Sequence, residues 1–364
     1  MRVVITGATG NVGTSLVERL ASEDAVSEIV GVARRRTDWA PPKTRWVQAD
    51  VTGDDLVAVF RGADAVVHLA WIFQPARRSE LTWENNVRGS IRVFEAAAEA
   101  DVPALVVASS VGAYAPGPAG ARAPGPDGKR VDESWPTHAL PVAAYGREKS
   151  YVERLLDIFE RDHPAMRVVR LRPGFIFKRS SAAEQRRYFA GPFLPSGLVR
   201  PGLIPVVPDM PGLALQALHS RDAADAYRLA LVRDVRGAFN VAAEPVLDAA
   251  ALAGLLDARV VRVPAWVPRT ALSAAWRLHI APATPGLLEL ALSLPVMDTT
   301  RARDELGWSP TVSALEAVRE VLAGLRDDAG GQTPPLAGDA GGAARHREIQ
   351  TGVGQAGGVT GDGR

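Results

Sequence analysis

Cysteine is absent from this chain of 364 residues. Its absence excludes disulfide bridges, thiolate nucleophiles and metal sites with cysteine ligands, and we predict no other metal site. Aromatic residues are also few, at 6% of the chain. No uninterrupted run of about 18 apolar residues occurs, so the sequence predicts no membrane-spanning helix.

An excess of charge of one sign is likewise missing, since 42 Lys and Arg residues face 41 Asp and Glu residues. This balance provides no bulk attraction to nucleic acid or to a membrane surface. A secretory leader is not evident, because a short apolar run and then glycines follow Met1 and Arg2 directly. We therefore expect a soluble, cytoplasmic protein that acts on a small molecule, and leave open whether it forms a homodimer.

Short β-rich runs alternate with segments of helical periodicity in the first half of the chain. This order is typical of the Rossmann-type α/β fold, a doubly wound parallel sheet with helices on both faces. Apolar residues make up 47% of the chain, which is enough for a large core. We predict strands at 3–5, 29–33, 46–50, 65–69, 105–108, 168–171 and 237–241.

The predicted domain organisation has three parts. A dinucleotide-binding domain spans residues 1–176, and residues 215–243 return to it. A smaller, mostly helical substrate-binding part spans 177–214 and 244–326, with an irregular stretch at 177–217 that is rich in Pro and Gly. The segment 327–364 has many glycines and almost no large apolar side chains, so we predict a disordered tail.

A glycine-rich turn of sequence TGATGNVG, residues 6–13, joins the first predicted strand to the first predicted helix. The glycines at 7, 10 and 13 suit a tight turn, a close approach of backbone N–H groups to a pyrophosphate, and close packing of the helix on the strand. The positive end of the helix dipole then faces the phosphates. The turn is therefore predicted to bind a dinucleotide cofactor.

The end of the second strand indicates which cofactor is bound. Arg34, Arg35 and Arg36 stand where an NAD-binding protein carries an acidic residue for the ribose hydroxyl. Arginine favours a 2′-phosphate, so we predict NADP over NAD, with a solvated basic turn as the alternative. Asp50 and Val51 are predicted to lie beside the adenine, although Asp50 equally suits the cap of the next helix.

A candidate catalytic group follows. Tyr145 and Lys149 are four residues apart on a predicted helix, so both side chains point to one face. Tyrosine has a pKa of about 10 in water, and a neighbouring ammonium lowers that pKa by favouring the phenolate. Ser110, after the fifth strand, is placed to hydrogen-bond a substrate oxygen.

In order and spacing, these motifs resemble those of the extended short-chain dehydrogenase/reductases, also called the NAD-dependent epimerase/dehydratase family. The resemblance covers roughly residues 1–325. Besides the glycine turn, it rests on His68-Leu69-Ala70, Asn86-Val87-Arg88-Gly89-Ser90, Ser109–Tyr114, Tyr145–Lys149, Leu171-Arg172-Pro173-Gly174, His219–Asp222 and Thr299–Trp308.

The resemblance implies roles for the matching residues. Tyr145 would be the general acid/base, Lys149 would orient the cofactor ribose and lower the tyrosine pKa, and Ser110 would polarise the substrate oxygen. Asn86 would support the fourth strand, or else it and His68 are satisfied buried polar groups. The implied cofactor contacts are Gly7, Thr9, Gly10, Asn11, Val12, Gly13, Arg34, Asp50, Val51, Leu69, Ala70, Asn86, Ser109, Tyr145, Lys149 and Pro173, and the substrate contacts are Ser110, Val111, Phe175 and Arg221.

Two departures from the family pattern bear on the reaction. Sugar 4,6-dehydratases of the family carry Asp-Glu where this chain has Val111-Gly112, and many nucleotide-sugar epimerases carry asparagine where it has Phe175. We therefore expect an NAD(P)-dependent oxidoreductase for a ketone or secondary alcohol, similar to the family's hydroxysteroid and flavonoid-ketone enzymes. The alternatives are a nucleotide-sugar epimerase with retained NAD and a non-catalytic NADP-binding sensor.

The predicted substrate part has two further features. A helix that carries Trp266, Trp276 and Leu278 suits the lining of an apolar pocket, or else is plain core. Four arginines suit a phosphate or carboxylate, or else form a solvated face: Arg179, Arg186, Arg187 and Arg200.

Overall fold

A computed structural model describes residues 1–73, 77, 79–117, 130–189, 203–264 and 266–338. In these ranges the strands are β1 (Arg2–Thr6), β2 (Glu28–Ala33), β3 (Thr44–Gln48), β4 (Ala65–His68), β5 (Ala104–Ala108), β6 (Arg167–Pro173), β7 (Phe175–Phe177), β8 (Val206–Asp209), β9 (Leu215–His219), β10 (Gly237–Val241), β11 (Ala243–Leu247) and β12 (Arg259–Arg262).

The helices of the described ranges surround these strands. They are α1 (Asn11–Ala21), α2 (Leu56–Phe60), α3 (Ser79–Trp83), α4 (Gly89–Glu99), α5 (Ala144–Asp162), α6 (Ala182–Phe189), α7 (Ser220–Val232), α8 (Ala249–Leu256), α9 (Trp266–Arg277), α10 (Pro285–Ala291), α11 (Thr300–Asp304) and α12 (Ala314–Arg326), and a π-helical turn at Glu84–Arg88 joins α3 to α4.

The central sheet has seven strands in the order β10-β6-β5-β4-β1-β2-β3, and all neighbouring strands are parallel. Successive residues of β1 point to opposite faces, so Val3 packs in the core on the α1 and α7 side while Val4 packs in the core on the α4 and α5 side. Both faces are buried, which explains the nearly continuous apolar runs of the strands. This architecture confirms the predicted Rossmann-type doubly wound fold.

The stretch at 177–217, which was predicted to be irregular, contains regular structure in its described part. It includes the helix α6 and the strands β8 and β9. The sequence pattern concealed α6 because two of its buried residues, Glu184 and Arg186, are charged and interrupt the apolar periodicity. Within the described residues, none of the helices is both long enough and apolar enough to cross a membrane.

The structure corrects the prediction of disorder for residues 327–338. Asp327 pairs with Arg179 at 2.7 Å, and Asp328 pairs with Arg186 at 2.9 Å. The Thr333 hydroxyl donates to the backbone oxygen of a glycine-turn residue, Thr9, at 2.7 Å, and Leu336 is buried. Polar contacts hold this stretch, so its low apolar content concealed its order. The rest of the predicted tail, 339–364, lies outside the described residues.

These contacts also account for three of the arginines in the substrate part. Two of them form the ion pairs above, and Arg187 donates to the backbone oxygens of Pro335 and Ala337. In this structure they bind the chain's own C-terminal stretch, in place of the free phosphate or carboxylate considered above. Arg200 lies outside the described residues.

Candidate functional site

The carboxyl ends of β1, β4, β5 and β6 open onto a cavity of about 460 Å³. It lies at the switch point of the sheet, where β1 and β4 are neighbours and the chain order reverses, as in other dinucleotide-binding folds. The predicted site residues that line it are Gly7, Gly10, Asn11, Val12, Gly13, Leu69, Ser109, Ser110, Val111, Tyr145, Lys149, Pro173 and Phe175, whereas Thr9, Arg34, Asp50, Val51, Ala70, Asn86 and Arg221 are not among its lining residues.

The glycine turn has the geometry of an anion site. Gly7 has a φ of +74°, and a Cβ there would lie 2.7 Å from the backbone nitrogen of Ala70, so only glycine fits. Gly10 is the N-cap of α1, and it has no side chain that could cap the helix. The first-turn N–H groups of α1 have no intrahelical acceptor, so they are available to a phosphate.

Asn11 provides a second sign of a ligand. Its amide nitrogen donates to the backbone oxygen of Ile176 at 3.0 Å. Its Oδ1 atom is buried and has no hydrogen-bond partner among the described residues. A buried acceptor of this kind is costly unless a ligand or water satisfies it. A pyrophosphate has no hydrogen to donate, so Asn11 Oδ1 needs a ribose hydroxyl or a water, whereas the N–H groups of the glycine turn fit the pyrophosphate of a dinucleotide.

Tyr145 lies at the start of α5 against the turn that follows β5. A Cβ at Gly112 would be 2.8 Å from the Tyr145 ring, so the ring needs glycine at this position. Burial raises the pKa of Tyr145 to about 12, although a hydrogen bond with Ser110 acts in the opposite direction. The ring centroids of Phe73 and Trp71 lie 4.6 and 6.1 Å away and shield the phenol from water.

Lys149 is buried, and its ammonium donates to the backbone oxygen of Ala108 at 2.7 Å. Its Nζ atom lies 3.4 Å from the centroid of the Trp71 ring and 6.0 Å from that of Tyr145. Burial lowers the Lys149 pKa to about 7, against the opposing effects of Glu153 and Glu148. The sequence pattern did not predict the cation–π contact with Trp71, although this residue directly follows the His68–Ala70 motif.

Asn86 acts through the loop after β4. Its side chain accepts from the backbone nitrogen of Ile72 at 2.7 Å and donates to the backbone oxygen of Ile72 at 3.0 Å and to Glu148 at 2.7 Å. These bonds hold the loop that carries Trp71. His68 is a satisfied buried group, since its two ring nitrogens contact Thr6 and Ser90, and burial lowers its pKa to about 3.

Other predicted residues lie outside the cavity wall. Asp50 accepts from the backbone nitrogen and the hydroxyl of Thr52, which is a local turn contact. Val51 is buried in the core. The guanidinium of Arg34, which follows β2, lies 3.5 Å from the side-chain oxygen of Asn85, and Arg221 is exposed at the start of α7.

Apart from the predicted site residues, most of the side chains that line the cavity are apolar, and the polar ones are Glu184, Gln185, Tyr188 and Tyr227. Among the described lining residues, the charged ones are Lys149 and Glu184, and Glu184 accepts from the hydroxyl of Tyr188 at 2.9 Å. Helix α9 contributes Leu272 to the wall, whereas Trp266 is 67% exposed. The apolar lining residues include Phe73, Val111, Phe175, Phe189, Leu215, Leu272, Leu287, Leu288, Leu290 and Leu294.

Comparison with known proteins identifies the family. The profile of the NAD dependent epimerase/dehydratase family matches residues 3–195, which is more than half of the chain. The chain belongs to this family. This is the family that the motifs predicted.

Two relatives match this chain over different lengths. An uncharacterised Mycobacterium tuberculosis protein is 27% identical over 329 residues, 90% of this chain, yet the chain spans only 30% of that protein's length. The L-arabinose 1-dehydrogenase (NAD(P)(+)) of Haloferax volcanii is 40% identical over 110 residues, which are 30% of this chain and 41% of that enzyme.

A solved structure shows the same fold. The UDP-glucose 4-epimerase of Thermus thermophilus in complex with NAD superposes with a TM-score of 0.63 at 22% identity, over 90% of this chain and 99% of the epimerase. Identity this low shows the fold alone.

Proposed function

We propose that this family member is an NADP-preferring oxidoreductase that transfers a hydride between its cofactor and a ketone or secondary alcohol in an apolar substrate. The observation that carries the proposal is the predominantly apolar lining of the cavity, with few cations. A nucleotide sugar has a doubly charged diphosphate, which needs cations or several hydrogen-bond donors when it is buried. The described wall offers one cation, Lys149, and it already contacts Ala108 and Trp71.

The proposed roles follow from the geometry. Bound at the glycine turn, NADP supplies the hydride chemistry. Tyr145 donates its proton to the substrate oxygen as that oxygen gains charge, and Ser110 holds the same oxygen by a hydrogen bond. A Tyr145 pKa of about 12 keeps the phenol protonated at neutral pH, which suits the reduction of a ketone. Trp71 and Phe73 exclude water from the proton transfer.

The function is tested with the purified protein, NADPH and two substrate panels. We expect NADPH oxidation with apolar cyclic or aromatic ketones and no conversion of UDP-glucose. Mass spectrometry should identify any copurified cofactor as NADP(H). This bound cofactor should exchange freely with added NADPH. Tightly retained NAD(H) together with epimerisation of a UDP-sugar would favour the epimerase, and binding without any turnover would favour the sensor.

The proposed NADP preference rests on the basic turn after β2. Arg35 is exposed, yet desolvation by its neighbours and the guanidinium groups of Arg34 and Arg187 lower its pKa. Such a cluster of like charges is relieved by an anion, and the 2′-phosphate is the anion that distinguishes NADP from NAD.

Replacement Arg34→Ala should raise the Kd of NADPH by about tenfold and that of NADH by less than about twofold, because only NADPH has the 2′-phosphate. Fluorescence titration of both cofactors measures the effect. Arg303→Ala is the matched control, since Arg303 is exposed, lies outside the basic turn and contacts Thr300. Equal losses for the two cofactors would contradict the assignment of Arg34.

A further inference from the structure

A buried lysine reaches the first turn of α1 from another part of the chain. Lys178 follows β7, and its ammonium donates to the backbone oxygen of Asn11 at 2.9 Å. It also donates to the hydroxyls of Thr14 at 2.6 Å and Ser15 at 3.0 Å. All three acceptors are neutral, and they belong to the turn of helix that starts at the glycine motif.

The charge of Lys178 has no close counter-ion among the described residues. Its hydrogen-bond acceptors among the described residues are the three neutral oxygens above, and the acidic groups that act on it from further away are Glu18 and Glu184. Burial lowers the pKa of Lys178 to about 8. The N-terminal end of a helix already has a positive potential, which disfavours a cation placed beside it. The free protein therefore holds a buried charge here that is balanced only by more distant carboxylates.

We propose that Lys178 is the counter-ion of the cofactor pyrophosphate, supplied from outside the glycine motif and acting through the first turn of α1. The inference rests on the proposed cofactor site. The N–H groups of this turn are those that fit the pyrophosphate, so Lys178 and the phosphates would share one helix end. Attraction between opposite charges is strong where water is excluded, so Lys178 would strengthen cofactor binding. It is a positioning residue and touches no reacting atom.

The surrounding oxygens do not need Lys178 for their own hydrogen bonding. The Ser220 hydroxyl lies 3.0 Å from both the Ser15 hydroxyl and the backbone oxygen of Asn11, and its one hydrogen can be donated to either of them. The hydroxyl of Thr14 itself donates to the backbone oxygen of Gly10 at 3.0 Å. A neutral side chain of similar length can therefore replace Lys178 without leaving a buried donor unpaired.

The test compares Lys178→Met with Lys43→Met, which removes the same charge at an exposed position. We expect Lys178→Met to raise the Kd of NADPH by about tenfold and to weaken the salt dependence of binding. Adenosine, which has no phosphate, should bind equally to the wild type and the variant. The Tm of the cofactor-free variant should be unchanged or higher, because a buried charge without a close counter-ion has been removed. Lys43→Met should change none of these.

Three results would overturn the inference, and they differ in what they say about the proposed function. Unchanged NADPH affinity in the variant, with normal binding in the wild type, would overturn the inference and leave the proposed function intact. A lower Tm with an equal loss of adenosine and NADPH affinity would also overturn it, because that pattern marks a purely structural lysine. A wild type that binds neither NADPH nor NADH would overturn both proposals. If Lys178→Met does not fold, Lys178→Gln keeps a hydrogen-bond donor without charge and should show the same loss of NADPH affinity.

Discussion

The Tyr145→Phe variant should lose about 10³-fold in kcat while its Kd for NADPH stays within about twofold of the wild type. The phenyl ring can keep its contacts with Phe73 and Gly112, so the site retains its shape and loses only the proton donor. Steady-state kinetics with an apolar ketone give kcat, and fluorescence titration gives the Kd.

Tyr151→Phe is the control for the Tyr145 variant. It removes the same hydroxyl from an exposed residue on the same helix, and turnover should be unaffected. In the wild type, oxidation of the alcohol requires the phenolate, and burial raises the Tyr145 pKa, so the oxidation rate should rise with pH above neutral. Substantial turnover by the Tyr145 variant would refute the proposed acid/base.

A second large effect is expected at Glu153, in the middle of α5. Its carboxylate accepts from Arg170 at 3.0 Å, from Arg172 at 2.8 and 2.9 Å, and from Ser109 at 2.5 Å. Glu153 thereby ties α5 to β6 and to the end of β5 beside Ser110. Removing one partner of a buried ion pair leaves the other charge unpaired.

Replacement Glu153→Gln should lower the free energy of unfolding by about 3–5 kcal/mol. Urea denaturation at pH 7 measures this loss. Asp162→Asn, which breaks an exposed pair with Arg161, should change the stability by less than about 0.5 kcal/mol. A loss at Glu153 no larger than at Asp162 would contradict the importance of the buried network.

The pH dependence of Glu153 gives an independent check. Its partners outweigh burial and lower its pKa from 4.5 to about 2. A carboxylate with a lowered pKa contributes stability that is present above its unfolded pKa and is lost as the pH falls through its folded pKa. The difference between the wild type and Glu153→Gln should therefore be full above about pH 5 and shrink between about pH 4.5 and 2.

The central sheet and the glycine turn were predictable from the sequence because their signals are local. Every predicted strand of the central sheet agrees with an observed strand to within two residues at each end, and the strand at 237–241 coincides with β10. Glycine at 7 has a physical reason in its positive φ, which the turn requires. The domain boundaries, the individual site residues and a homodimer remain predictions.

The sequence by itself determined the sheet, the glycine turn and the group of Ser110, Tyr145 and Lys149, since periodicity and short-range spacing encode them. Only the tertiary structure decided which distant residues surround the glycine turn. Lys178 meets Asn11 across 167 positions of the chain, and Thr333 meets Thr9 across 324. Contacts at such separations leave no local pattern, because they depend on how distant segments pack and which buried charges they share.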